Sequence, residues 1–275
     1  MANGVSRLIW RTLGVADYAV AVPLYFLVPR HVRFRWSAPG TVLRNRRGFD
    51  EVMRLTDPDR RALVLDVGGG IAALKDLPDS GLRTWLVTLD IDMEMLRRAR
   101  KKVPNAVLVR GDGTRLPFVD GTFDVVVMVH ALEHIPEQIR PALVAEIKRV
   151  SRRGVVIHGP AGIEAIELTR RFIAALEARG GVAPRYALEH LEFPMPMPEW
   201  LAEAFPGCTL KPRRNLQVEL ETLLMAYTPI VRWFAGYRNR RLAAADERPP
   251  FVEYTMTWRK TAPDPTASGS PVNLA

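Results

Sequence analysis

The chain is poor in the residues that staple or cage a fold. Cys208 is its one cysteine among 275 residues. An intrachain disulfide is excluded, and so is a thiolate metal cage. That fits a protein of a reducing compartment, and Cys208 reads as a small buried apolar residue rather than a nucleophile. A comfortable membrane span of ~20 apolar residues is also lacking. The strongest candidate, Leu13 to Val28, is short and contains Asp17 and Pro23. No small-residue cleavage site follows it, so a secretory signal is not expected. There is no internal repeat. Acidic residues are the minority charge, 30 against 39 Lys and Arg, for a net +9. A basic balance is compatible with nucleic acid, anionic lipid or an acidic small substrate, and does not choose among them.

What is present is a chain that is 48% hydrophobic. That is ample for a core in one domain with additions. The stretch Ala62-Leu-Val-Leu-Asp66-Val-Gly68-Gly69-Gly70 organises the rest. A short apolar run fits a strand buried on both faces of a parallel sheet. The glycines allow a sharp turn and a close approach to the backbone. From there to about His158, apolar runs alternate with helical patterns. Strands are expected at Ala62 to Val67, Thr84 to Leu89, Ala106 to Val109, Phe123 to Val129 and Val155 to His158. Helices are expected at Met93 to Lys102 and at Glu137 to Val150, the second behind Pro136. Such alternation implies a doubly wound, mostly parallel α/β sheet of Rossmann-like kind, with helices on both faces. Ligands in such sheets sit beyond the carboxyl ends of the strands.

The residues at those ends carry the chemistry. Gly68 to Gly70 follow the first strand, and Asp90 and Asp92 the second. Gly111-Asp112-Gly113 follow the third, and His130-Ala131-Leu132-Glu133-His134 the fourth. An acid about 20 residues past the glycines is placed to accept from both hydroxyls of a ribose. The fourth group also reads as H-x-x-E-H, an inverted zinc-peptidase signature. That reading needs a helix, whereas the pentapeptide follows a strand and Pro136 delays the helix. No third ligand is evident on a downstream helix, so no metal is expected.

The constellation resembles the class I S-adenosylmethionine-dependent methyltransferases, in particular the small-molecule, type 11-like kind. The carriers are Leu65 to Gly70, Asp90 to Leu96, and Arg110-Gly111-Asp112-Gly113-Thr114-Arg115-Leu116-Pro117-Phe118. Asp120 to Val126, His130 to His134 and Pro136 follow. The match covers roughly Arg61 to Pro160. The resemblance implies S-adenosylmethionine as cofactor. It implies that Asp66 orients the glycine turn and approaches the cofactor's amino group. Gly68 and Gly70 would make room for the methionine moiety, with Gly69 and Ile91 in the same binding set. Asp90 would hold the ribose, and Asp112 the adenine amine, with Gly113 beside the ring. Met93 or Met95 would pack near the adenine, and His130 would border the cofactor. The sequence departs from the family pattern after the glycines, where Ile71 to Leu77 is short and Pro78-Asp79-Ser80-Gly81 interrupts it. Methyl transfer from a sulfonium is an in-line displacement, sometimes helped by a base. His134, His130, Glu133 and His158 are the candidate catalytic residues.

The flanks suggest the acceptor. Residues 1–60 read as an N-terminal helical cap, with an amphipathic helix over Thr41 to Asp59. Residues 61–260 read as the methyltransferase domain, and 261–275 as a disordered tail. Ala161 to Arg179 reads as a helix with Ile163, Ile166, Ile173 and Leu176 on one face and Gly180-Gly181 as its stop. Glu189 to Pro198 reads as an extended loop because proline recurs at every second position. Glu199 to Phe205 is the next helix, and Cys208 to Leu210 and Phe251 to Trp258 are the last strands. The insertion at about 216–245, apolar and then arginine-rich, reads as a C-terminal lid. Leu13 to Arg35, bordered by arginines, packs on the domain or lies on a membrane surface. The expected protein is cytoplasmic or peripheral to the membrane, and acts on a small or lipid-like acceptor. An RNA or DNA methyltransferase is the alternative, weakened because no Asn-Pro-Pro-Tyr-like motif stands at His130-Ala131-Leu132. A non-catalytic S-adenosylmethionine-binding protein is the other alternative.

Overall fold

The computed structural model describes residues 50–56, 61–71, 74, 84–226 and 243–260. Most of the expected cap, the segment Leu13 to Arg35, residues 227–242 of the insertion and the tail lie outside the described residues. Residues 50–55 are helical, within the expected Thr41 to Asp59 helix.

Seven strands form one sheet in the order β3-β2-β1-β4-β5-β7-β6. They are β1 Ala62–Val67, β2 Thr84–Asp90, β3 Val107–Arg110, β4 Phe123–Val129, β5 Ser151–Pro160, β6 Thr209–Asn215 and β7 Phe251–Arg259. β1 to β5 pair in parallel. β7 runs antiparallel to both of its neighbours. The chain winds outward from β1 to β3, then crosses back to β4 and on to β5. That reversal opens a crevice between the carboxyl ends of β1 and β4.

The continuous apolar runs follow from burial on both faces. In β4, Val126 and Met128 join Leu65, Val67, Val155 and Ile157 in one core layer. Val125, Val127 and Val129 point the other way, into a layer with Val64, Val156, Val52 and Leu55. Helices α1 Met93–Lys102 and α2 Arg140–Val150 cover opposite faces. Ala99 of α1 joins the second layer, while Leu143 and Ile147 of α2 join the first. Asp92 caps α1 by accepting from Glu94 N–H at 2.7 Å, and Arg100, Lys101 and Lys102 complement its carboxyl end.

Several boundaries differ from expectation for physical reasons. α2 begins at Arg140 rather than Glu137, after a short 3-10 turn over Glu137–Ile139. Pro141 has no N–H and tolerates only the first turn of an α-helix, which fixes the start. β5 starts at Ser151, four residues early, because its polar Arg152 and Arg153 reach the buried Asp124 of β4. β6 extends through Pro212, which is tolerated because β6 is the edge strand.

After β5 come α3 Ile163–Ala178, α4 Arg185–Glu192, α5 Pro198–Ala204, α6 Leu216–Ala226 and α7 Ala243–Asp246. α3 buries Ala165, Leu168, Thr169, Phe172 and Leu176, whereas Ile163 is 67% exposed. Ile163 lies about 200° round the helix axis from Ala165. Gly180, at φ +76°, ends α3, and Gly181 N–H donates to Leu176 C=O at 2.8 Å. α4 occupies the first part of the expected Glu189 to Pro198 loop. Among the described residues, no helix is long and apolar enough to cross a membrane.

Candidate active site

A cavity of about 520 Å³ opens at the carboxyl ends of β1, β2 and β4. Its size suits a nucleoside-containing ligand. Gly68, Asp90, Ile91, Asp112, Gly113 and His130 line it, as expected, and Met95 and His134 join them. Ile91 offers an apolar face that is 67% exposed. Met93 points away and is also exposed.

The turn after β1 is a 3-10 turn over Gly69–Ile71, shorter than the helix that usually follows such glycines. Its glycines serve the protein's own packing. Gly68 sits at φ +72°, and a Cβ there would lie 2.6 Å from Ala131 Cβ. A Cβ on Gly70 would lie 2.4 Å from Met95 Cβ and 2.7 Å from Asp90 Oδ2. The room expected for a ligand at Gly70 is therefore filled by α1 and by Asp90. Gly68 reaches the cavity; Gly69, Gly70 and Asp66 are not in its wall.

The three acids differ in state. Asp90 Oδ2 accepts from Gly70 N–H at 3.1 Å, and Oδ1 from Asp92 N–H at 2.9 Å. These bonds fix the carboxylate and leave a further lone pair on each oxygen facing outward. Asp112 Oδ1 accepts from both Thr114 N–H and Thr114 hydroxyl at 2.8 Å. Those bonds hold its carboxyl below the usual range. Asp66 is buried beneath the glycine turn, and its oxygens have no hydrogen-bond partner among the described residues. Burial, with the nearby Asp90 charge, pushes its pKa up to about 8.

At the end of β4 four of the five histidines meet. His130 takes φ +50°, a conformation rare for a residue with a side chain, while its N–H donates to His158 C=O at 2.8 Å. Leu132–His134 form a single 3-10 turn, so the pentapeptide is a turn after a strand, as its position predicts. His130 Nδ1 lies 3.5 Å from Glu133 Oε1, and His134 Nε2 3.9 Å from the same oxygen. Glu133 is buried. Desolvation opposes its ionisation, but the hydrogen bond and charge of His130, with His134 beside it, hold its pKa below the usual range. Gly159 permits this approach, because a Cβ there would lie 3.1 Å from Glu133 Oε2. His134 borders the cavity, and its Nδ1 lies 3.0 Å from Glu189 Oε2 on α4. His158 is buried and lies outside the cavity wall, with Nδ1 3.0 Å from Thr255 Oγ1. Of the four candidate catalytic residues, His130 and His134 therefore reach the cavity directly.

Sequence reasoning missed His190 of α4 and Glu253 of β7. Burial lowers the His190 pKa to about 4, so its ring is neutral at pH 7. Glu253 lies 3.9 Å from His130 Nε2 and 3.7 Å from His158 Nε2. A carboxylate inside the apolar run Phe251-Val252-Glu253-Tyr254 was the signal that could have marked it.

Comparisons with known proteins bear on the domain and its fold. Residues 64–154 match the family model described as a methyltransferase domain. A demethylmenaquinone methyltransferase of Beutenbergia cavernae is 35% identical over 97 residues, covering 35% of this chain and 38% of that protein. One from Mycolicibacterium gilvum is 37% identical over 111 residues, covering 40% and 44%. The chain thus spans about two fifths of the length of the curated relatives it matches. A solved structure from Galdieria sulphuraria, assigned as a sarcosine dimethylglycine methyltransferase, superposes with a TM-score of 0.52 at 15% identity. It covers 79% of this chain and 85% of that one, and speaks for the fold. Residues 64–154 thus match a methyltransferase domain, and the seven-stranded order is that of the class I, S-adenosylmethionine-dependent methyltransferase fold.

Proposed function

We propose that the chain binds S-adenosylmethionine in the 520 Å³ cavity and methylates a lipid-like small molecule of the quinone kind. The carrying observation is Asp90, held by two backbone N–H groups at the cavity wall with lone pairs left for ribose hydroxyls. Asp112 Oδ1 takes both bonds from Thr114, which leaves Oδ2 for the adenine amine. Ile91 and Met95 would cover the adenine faces. Asp66 lies beneath the glycine turn and outside the cavity wall, so it would act on the ligand through that turn. The residues present therefore fit the cofactor.

Bound S-adenosylmethionine supplies an electrophilic methyl on sulfonium. The chain's own task is to bind, orient and deprotonate the acceptor. We assign proton acceptance to His134, which borders the cavity between the carboxylates of Glu133 and Glu189. Glu133, held ionised, would stabilise the imidazolium that forms.

The acceptor class rests on two supports. The relatives are named for a quinone lipid. The cavity wall beyond His134 is apolar, with Ile135, Ile139, Leu143 and the Tyr186 ring. Contact of the arginine-bordered Leu13 to Arg35 segment with anionic lipid would suit such an acceptor. The test incubates the full chain with methyl-labelled S-adenosylmethionine and, separately, demethylmenaquinone, extracted lipids and RNA oligomers. Label on a lipid is expected. Label on RNA with none on lipid would overturn the acceptor class.

A further inference from the structure

His130, His158 and Glu253 come from the adjacent strand ends of β4, β5 and β7. We propose that they form a binding site for one divalent transition-metal cation of the zinc class, with two imidazole nitrogens and one carboxylate as ligands. One ligand atom from each residue lies within 4.8 Å of the others. His130 Nε2 is 3.9 Å from Glu253 Oε1, and His158 Nε2 is 3.7 Å from Glu253 Oε2. Zinc bonds of about 2.0–2.1 Å put tetrahedral ligands roughly 3.3 Å apart. Each imidazole nitrogen is thus within about 0.6 Å of that spacing from a Glu253 oxygen, and side-chain rotation would bring the set together.

The surroundings of the rings support a metal site more strongly than the distances do. A ligating histidine presents one nitrogen to the metal and gives its other N–H to a carboxylate, carbonyl or similar acceptor. Both rings follow this pattern. His158 Nδ1 lies 3.0 Å from Thr255 Oγ1, and His130 Nδ1 lies 3.5 Å from Glu133 Oε1. In both, Nε2 faces Glu253. The rare backbone conformation of His130 aims its ring there. His130 and Glu253 further border an inner cavity of about 50 Å³, room for a water or a ligand oxygen at the fourth position.

The second constellation, Glu133, His134 and His190, fits less well. Its carboxylate is engaged by His130, and its His134 Nδ1 faces Glu189. The H-x-x-E-H peptide is thus divided. His130 serves as ligand, Glu133 orients it, and His134 stays with the cavity. The third ligand, far from the peptide in the sequence, is Glu253 on the last strand.

The site does not depend on the methyl-transfer reading, and its test needs no S-adenosylmethionine. Full-length protein, purified without a metal-affinity step and stripped with chelator, is titrated with Zn²⁺ by calorimetry and with Co²⁺ by visible absorption. One equivalent should bind, with the Co²⁺ bands of a four- or five-coordinate ion. Thr255→Val should weaken binding ~10–100-fold, the effect of losing a partner that orients a ligand. Glu253→Gln should weaken it further, and His134→Ala and His190→Ala should leave it unchanged. Circular dichroism confirms that each variant is folded. Absence of saturable binding by folded wild type would overturn the proposal. So would undiminished binding by Glu253→Gln, or loss of binding in His134→Ala.

Discussion

Replacing Asp66 by asparagine should remove a pH dependence from the stability of the ligand-free protein. Asp66 is buried, its oxygens lack partners among the described residues, and burial lifts its pKa from 3.8 to about 8. A folded-state pKa raised above the unfolded value means that the folded form holds a proton the unfolded form has released. Between about pH 4 and 8 stability therefore falls as pH rises, at up to ~1.4 kcal/mol per unit. From pH 5 to 8 the loss from this one group is roughly 3–4 kcal/mol. Asparagine cannot ionise. Urea unfolding of wild type and Asp66→Asn across pH 5–8 isolates the effect, since all other titrating groups are shared. The difference in unfolding free energy should move by a few kcal/mol in favour of the variant as pH rises. Parallel curves would refute the reasoning and place Asp66 in contact with water or a donor.

Two contrasts test the packing. Gly68→Ala should destabilise by roughly 2–5 kcal/mol, because it adds a positive-φ penalty to a 2.6 Å clash with Ala131, whereas Gly207→Ala should cost only ~1–2 kcal/mol. Gly207 has φ +76° but nothing within 4 Å of its would-be Cβ, so thermal melts of the pair separate crowding from backbone strain. Arg214→Met should cost about 3–5 kcal/mol in urea unfolding. Arg214 is buried and paired with Glu219 and Asp246, so the change removes the guanidinium that faces two buried carboxylates and weakens the tie of α6 and α7 to β6.

The sequence made the sheet legible where burial is two-sided. β1 and β4 stand at their expected limits because an apolar run bounded by Gly or a turn has few other readings. The acids at the strand ends were legible for the same reason, since position after a buried strand fixes where they face. α4 was not legible. Arg185-Tyr-Ala-Leu-Glu-His-Leu-Glu192 buries only Ala187, so it has little apolar stripe, and the proline series after it dominated the reading. The edge strand β6 was read short because its Lys211, Pro212 and Arg213 look like a loop. His190 and Glu253 entered the site only through tertiary packing. No local period links them to His130, and only a charge in an apolar strand hinted at the second. Gly70 was read as room for a ligand, but the room is used by Met95 and Asp90.

The central claim is a cofactor site built on Asp90, and calorimetry with S-adenosylhomocysteine tests it most directly. The full chain should bind one equivalent. Asp90→Ala should bind far more weakly, because each lost hydrogen bond to the carboxylate is worth about 1.5–3 kcal/mol and two ribose hydroxyls lose their acceptor. The variant's circular dichroism should match the wild type. Absence of binding by folded wild type at millimolar ligand, or equal affinity in Asp90→Ala, would contradict the account.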